Sequence, residues 1–260
     1  MPRFAANLSM LWTELEPFER FRAAAEAGFK RVEMLFPHEL DADTLTSTLR
    51  DLDLEMVLFD PAPGDWAGGE RGLLCLPGRE EEFLQTVRDA IALAARLGTP
   101  KLNALAGLVP PGVAAEQSTE TAASNLRAAA QLVEAAHLTL LVESINSVDV
   151  PGYLADTAEK AVALVESAAS PAVRFQLDQY HVAMSGADAT EVLHRYYPVV
   201  GHVQVADVPG RHQPGTGQQA IEAFLSELDA LGYAGSVGLE YRPLGTTEES
   251  LAWLGGRHRA

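Results

Sequence analysis

Residues 139–145 read TLLVESI and residues 173–180 read VRFQLDQY, and these two runs decide the fold. Each is short and apolar with β-branched or aromatic residues at alternate positions, the pattern of a strand in a half-buried sheet. Working outward, HVQVAD (202–207) and SVGLEY (236–241) repeat the pattern downstream. FAANLSM (4–10), RVEMLF (31–36), EMVLFD (55–60) and KLNALAG (101–107) repeat it upstream. Between them lie longer stretches with apolar residues at three- and four-residue spacing, such as EEEFLQTVRDAIALAARLG and AIEAFLSELDALG, which predict helices. Gly28, Gly98 and Gly232 sit where a left-handed cap would stop a helix before the next strand. Strict alternation of strand and helix implies a parallel sheet. Eight units without a linker or a shift in composition predict one (β/α)8 TIM barrel over residues 1–260 as a single domain, of the roughly 250-residue size usual for that fold. An open doubly wound sheet is the runner-up, and it needs an edge strand that the sequence does not offer.

Side chains alternate along a strand, so one parity meets the helices and the other faces the barrel lumen. Leu140, Val142, Phe175, Leu177, Val203, Val205, Val237 and Leu239 form the apolar parity. The opposite parity ends in Glu143, Asp178, Gln204 and Glu240, one on each of four consecutive strands and each near the C-terminal end. Asn7, Glu33 and Asn103 fall on the inward parity of earlier strands and extend the polar cup. Three carboxylates crowded into a partly desolvated pocket raise one another's pKa, and a cation relieves the conflict. The all-oxygen donor set suits Mg2+ or Mn2+ better than Zn2+. The competing reading makes these acids helix caps or solvent-facing loop residues; their shared parity and shared end favour a site. Two Gly/Pro-rich loops, 61–79 and 208–219, follow strands and so belong to the face where barrel enzymes place their chemistry. Trp66 in the first is a candidate cover for the site, or equally an aromatic packed on the rim.

Net charge −17 repels phosphate backbones, and no basic run offsets it, so no nucleic-acid partner is expected. The single cysteine, Cys75, forms no internal disulfide and has no histidine paired with it in the sequence, so a reducing cytoplasm is expected and a nucleophilic role is not. No apolar run of about 18 residues and no cleavable leader pattern is present, so neither membrane insertion nor export is expected. The expected partner is a small molecule, with self-association left open.

At ESINSVDVPGY (143–153), DQYH (178–181), HVQVADVPGRHQPGTG (202–217) and GLEYRP (238–243) the chain resembles the hydroxypyruvate isomerase family of the xylose isomerase-like barrels. The resemblance also takes in FAANLSMLW, GDWAGGERG, PGREEEF and TTEESLAWL, and so runs nearly end to end. It implies interconversion of an α-hydroxy ketone and an aldehyde through an enediol, hydroxypyruvate to tartronate semialdehyde in the type case, on a divalent metal. Glu143 and Glu240 match the family's two catalytic glutamates, with Asp178 and Gln204 at its other metal positions. His181 and Arg211 are similar to its substrate-contacting His and Arg, the latter a natural fork for a carboxylate; Asn7, Asn103, Asp149 and Trp66 are taken as further substrate contacts. Ser144 stands where the family often has proline, and Asp60 where it commonly has asparagine. His202, one inward step below Gln204, is read as an interior residue rather than a ligand. Three other readings compete: an isomerase of 2-oxo-tetronate or a ketose 3-epimerase on the same scaffold, a metal-dependent endonuclease, which would need many histidine ligands and a basic rim, and a non-catalytic sugar-acid-binding barrel.

Overall fold

The computed structural model describes residues 3–259. In chain order the elements are β1 (Arg3–Asn7), α1 (Pro17–Ala27), β2 (Arg31–Met34), α2 (Ala42–Asp51), β3 (Glu55–Phe59) and α3 (Glu80–Leu97). Then come β4 (Lys101–Asn103), α4 (Ala115–Ala135), β5 (Thr139–Glu143), α5 (Ala158–Ser167), β6 (Val173–Asp178) and α6 (Gln179–Met184). The chain closes with α7 (Ala189–Tyr196), β7 (Val200–Val205), α8 (Ile221–Ala230), β8 (Ser236–Leu239) and α9 (Thr247–Ser250). Every strand pairs in parallel with its sequence neighbour, and β8 pairs with β1, closing the barrel. The closed barrel is therefore the fold, and the open sheet is not.

The predicted strands overrun at their C-terminal ends because the last apolar residues of each run already belong to the loops above the barrel. Residues 104–107 are an example: Ala104 keeps one ladder bond, from its N–H to the Leu141 carbonyl at 2.9 Å, and then the chain leaves the sheet. Strand β7 instead begins two residues early, at Val200, with a register shift against β6. The added residue, Gly201, lies so close to its neighbours that a Cβ there would come within 2.7 Å of Leu141 and 2.8 Å of Arg174. Gly28 and Gly98 cap α1 and α3 in the left-handed conformation, and Gly232 takes a positive φ of 74° just after the Leu231 cap of α8.

The parity argument holds. Leu140, Val142, Phe175, Leu177, Val203, Val205, Val237 and Leu239 join the large cluster between sheet and helices. A small separate cluster of Ala5, Val57, Leu58 and Leu141 plugs the lower lumen. Val57 and Leu58, sequence neighbours, both enter it because β3 bulges against β2 between Val32 and Glu33. With the floor apolar and tightly filled, the polar inward residues are confined to the C-terminal mouth.

Candidate active site

The mouth of the barrel holds a cavity of about 560 Å3, lined among others by Asn7, Glu33, Asn103, Glu143, Gln204, Arg211 and Glu240. Glu143, at the end of β5, is buried, and its Oε2 accepts from Asn103 Nδ2 at 3.1 Å. Asp178 ends β6 and is fully buried; its Oδ1 caps α6 by accepting from the Tyr180 N–H at 2.9 Å, leaving Oδ2 for the cavity. The capping reading of this residue therefore holds for Oδ1, while Oδ2 faces the Arg211 guanidinium. Arg211 Nη2 donates to Asp178 Oδ2 at 3.2 Å and to Glu240 Oε1 at 2.8 Å, which ties together the carboxylates contributed by β6 and by the residue following β8.

His181, on the first turn of α6, places its Nε2 3.7 Å from Asp178 Oδ2 and 4.0 Å from Glu143 Oε1. Glu143, Asp178 and His181 each bring a ligand atom to within 4.8 Å of the other two, a spacing that could hold a metal ion. Gln204, read as a further ligand, is engaged elsewhere: its Oε1 accepts from Gln176 at 2.7 Å and its Nε2 donates to Glu33 at 2.7 Å. Asn7 and Asn103 face the cup as expected, and Asn103 Oδ1 has no hydrogen-bond partner among the described residues. Asp149 Oδ2 accepts from the Tyr180 hydroxyl at 2.9 Å and from Asn146 Nδ2 at 3.1 Å. Trp66 lines the cavity while remaining 39% exposed, its ring edge-on to Phe36 at 5.0 Å.

The electrostatics are those of a site short of positive charge. Burial, then the charges of Glu240, Asp178 and Asp60, push Glu143 well above the usual carboxylate range. Burial also raises Asp178, against the pull of Arg211. Glu240 is pushed up to about 8, by burial first and by Asp178 and Glu33 as well, with Arg211 opposing. Burial and then the Glu240 charge raise Asp60 well above its ordinary value. The Arg211 guanidinium reaches only Asp178 and Glu240, so the buried carboxyl groups of this cup could hold a cation as well.

Sequence reasoning missed two arginines. Arg71 donates from Nη1 to the carbonyls of Glu70 and Trp66 at 2.7 and 3.1 Å and lies 4.2 Å above the Trp66 ring. Arg242 reaches the same cavity from beyond β8. Neither forms an ion pair among the described residues, although the chain carries a charge of −17. The signal was available for both, since Arg71 sits inside the GDWAGGERG motif and Arg242 inside GLEYRP. Asp207 was missed too: its carboxylate accepts the N–H groups of Val208, Gly215, Gly217 and Gln219 at 2.8–3.0 Å and so holds the 208–219 loop in place above β7.

Residues 21–256 match the family model described as the xylose isomerase-like TIM barrel. The chain belongs to that family. Within it, the chain is 39% identical to the hydroxypyruvate isomerase of Escherichia coli (strain K12) over 254 residues, 98% of each protein. It is 40% identical to the 2-oxo-tetronate isomerase of Cupriavidus necator, again over 98% of each. Among solved structures, one described as an AP endonuclease of family 2 from Brucella melitensis superposes with a TM-score of 0.95 at 42% identity, covering 98% of both chains. The barrel fold and the family are therefore shared along nearly the whole length compared.

Proposed function

We propose that this chain is a hydroxypyruvate isomerase-type enzyme, moving a proton between adjacent carbons of a small 2-oxo acid that carries an α-hydroxyl group. The supporting observation is the pairing of two buried glutamates, Glu143 and Glu240, on strands three apart around one cavity, in a chain whose similarity to relatives named for this chemistry spans nearly its whole length. Glu143, Asp178 and Glu240 would hold a divalent ion, Mg2+ or Mn2+, with Gln204 as the fourth donor through the carbonyl that now accepts from Gln176. Such an ion acts as a Lewis acid that makes the proton next to a carbonyl more acidic.

The chain's own residues carry the proton steps. In hydroxypyruvate one glutamate takes a proton from C3, giving the enediol, and the other delivers a proton to C2, giving tartronate semialdehyde. The hydroxyl proton must also pass from the C3 oxygen to the C2 oxygen, a transfer between adjacent groups of the substrate itself, and His181 faces the space where it can donate a hydrogen bond to the oxygen carrying the charge. Arg211 is engaged by Asp178 and Glu240, so the guanidinium of Arg71, which forms no ion pair among the described residues, is the better partner for the substrate carboxylate, with Arg242 lining the same cavity. Trp66 stiffens Arg71 by stacking beneath it.

The 2-oxo-tetronate isomerase relatives share this chemistry on a substrate one carbon longer. The test is an NMR assay of hydroxypyruvate and of 2-oxo-tetronate with and without a chelator. Conversion of either, abolished by chelation, is the expected result; conversion of neither under any metal condition overturns the proposal. An endonuclease reading would need a surface that attracts phosphates, and a net charge of −17 works against it.

A further inference from the structure

Asn146 lies just beyond β5, is completely buried, and has every polar group of its side chain committed. Its Oδ1 accepts the backbone N–H groups of Val148 and Asp149 at 3.1 and 2.9 Å, a turn of the loop closed by its own side chain. Its Nδ2 faces Asp149 Oδ2 at 3.1 Å and His181 Nδ1 at 2.6 Å. The reversed amide would set an NH2 group against two N–H donors and an oxygen against a carboxylate, so the orientation is fixed by three partners at once. The backbone N–H of Asn146 also points at His181 Nδ1, at 3.4 Å. Two donors therefore converge on one ring nitrogen. That nitrogen must offer its lone pair, and the proton of the neutral ring must sit on Nε2, the atom turned toward Glu143 and Asp178.

We infer that Asn146 is a positioning residue which locks His181, the match to the family's substrate-contacting histidine, as the Nε2–H tautomer, so that its bond to a substrate oxygen is a donated one and Nε2 is closed to the ion. The spacing of Glu143, Asp178 and His181 would admit an ion on geometry alone, but an Nε2 that carries a proton has no lone pair to give one. The donor role rests on the isomerase reading above, where an oxygen that gains negative charge as the enediol forms needs such a partner. The tautomer itself rests only on the hydrogen bonds.

The full chain, labelled with 15N at histidine, tests this by NMR at neutral pH without metal, with His181→Gln identifying the His181 signal. The wild-type ring is expected to show a protonated Nε2 and an unprotonated Nδ1; a protonated Nδ1 overturns the proposal whatever any variant does. Asn146→Asp keeps the turn acceptor and gives Nδ1 an acceptor instead of a donor. It should therefore place a proton on Nδ1 and lower kcat by about 10–100-fold with KM little changed. An unaltered ring signal in a folded Asn146→Asp protein overturns the lock. Titration with Mn2+ alone supplies the third readout: His181→Gln should bind it nearly as wild type does, while Glu143→Gln should bind about 10-fold or more weakly. Equal loss in both variants makes His181 a ligand and overturns the inference. If the wild-type chain converts neither 2-oxo acid, the proposed activity fails, while the NMR and Mn2+ arms still decide the tautomer.

Discussion

Glu33 and Glu143 are the same residue type, both buried in the same cup, yet their surroundings differ. Glu33 Oε1 accepts from Asn7 at 3.0 Å and from Gln204 at 2.7 Å, and its Oε2 pairs with His202 Nε2 at 2.8 Å. Glycine at 238 makes the room, since a Cβ there would lie 2.3 Å from Glu33 Oε1. Glu143 has one side-chain donor, Asn103, and three acidic neighbours that raise its pKa after burial has done so. A buried carboxylate surrounded by donors is part of the scaffold, whereas one left short of them is poised for a cation or a proton.

That contrast is most directly broken by substitution at the carboxylates short of donors. Glu143→Gln and Glu240→Gln should each lower kcat/KM by about 10³-fold, the scale of losing a positioned acid or base. Their metal-free melting temperatures near pH 8 should match or exceed wild type, because the amide removes a buried charge. Steady-state kinetics and thermal melts check the pair of outcomes, and activity retained within a few fold at either position would end the two-glutamate scheme. Arg71→Gln should act next most strongly. It should raise KM by about 10- to 100-fold with kcat nearly unchanged, since a charge-assisted hydrogen bond contributes about 1.5–3 kcal/mol. A KM effect at Arg211 with none at Arg71 would return the carboxylate to Arg211.

The sequence made the barrel legible because parity and period are local properties: eight apolar runs with one polar side each are enough to place Glu143, Asp178, Gln204 and Glu240 in one lumen. It could not reveal how those side chains divide their hydrogen bonds. Gln204 and Glu33 meet across the cup from β7 and β2, and Arg211 arrives from a loop with a left-handed φ of 58°, so these contacts depend on closure of the barrel and on loop shape. Arg71 and Asn146 were overlooked for a related reason. A polar residue in a loop carries no period, and its role emerges only from what converges on it.

The cation shortage also sets a pH dependence. Glu240 titrates near 8 in the folded protein against an ordinary value of 4.5. A folded pKa raised above the unfolded one gives stability that is fully present below about 4.5 and lost as the pH climbs to about 8. The metal-free protein should therefore melt at lower temperature across that window as pH rises. Mg2+ or Mn2+ should restore the loss, by about 5–10 °C at ~100 times Kd. The ion should have little effect at the acid end, where protons already neutralise the site. Calorimetry at the two ends of the window, with chelator and with ion, checks it; an ion effect independent of pH would mean that the carboxylates are not its ligands.

Glu33→Gln gives the smallest of these effects on chemistry and the sharpest test of the contrast. The new NH2 group would meet either His202 Nε2 or the amide nitrogens of Asn7 and Gln204, so one buried donor loses its acceptor whichever way the amide turns. The cost expected is about 1–3 kcal/mol of stability. The ion should recover little of it, because Glu33 is not itself one of the ion's proposed ligands and touches them only through Gln204. Activity should fall only a few fold, through the looser hold on Gln204. If Glu33→Gln instead matched Glu143→Gln, with a large loss of turnover and an unchanged melting temperature, donor count would fail to separate scaffold from site, and Glu33 would join the acid-base group of the cup.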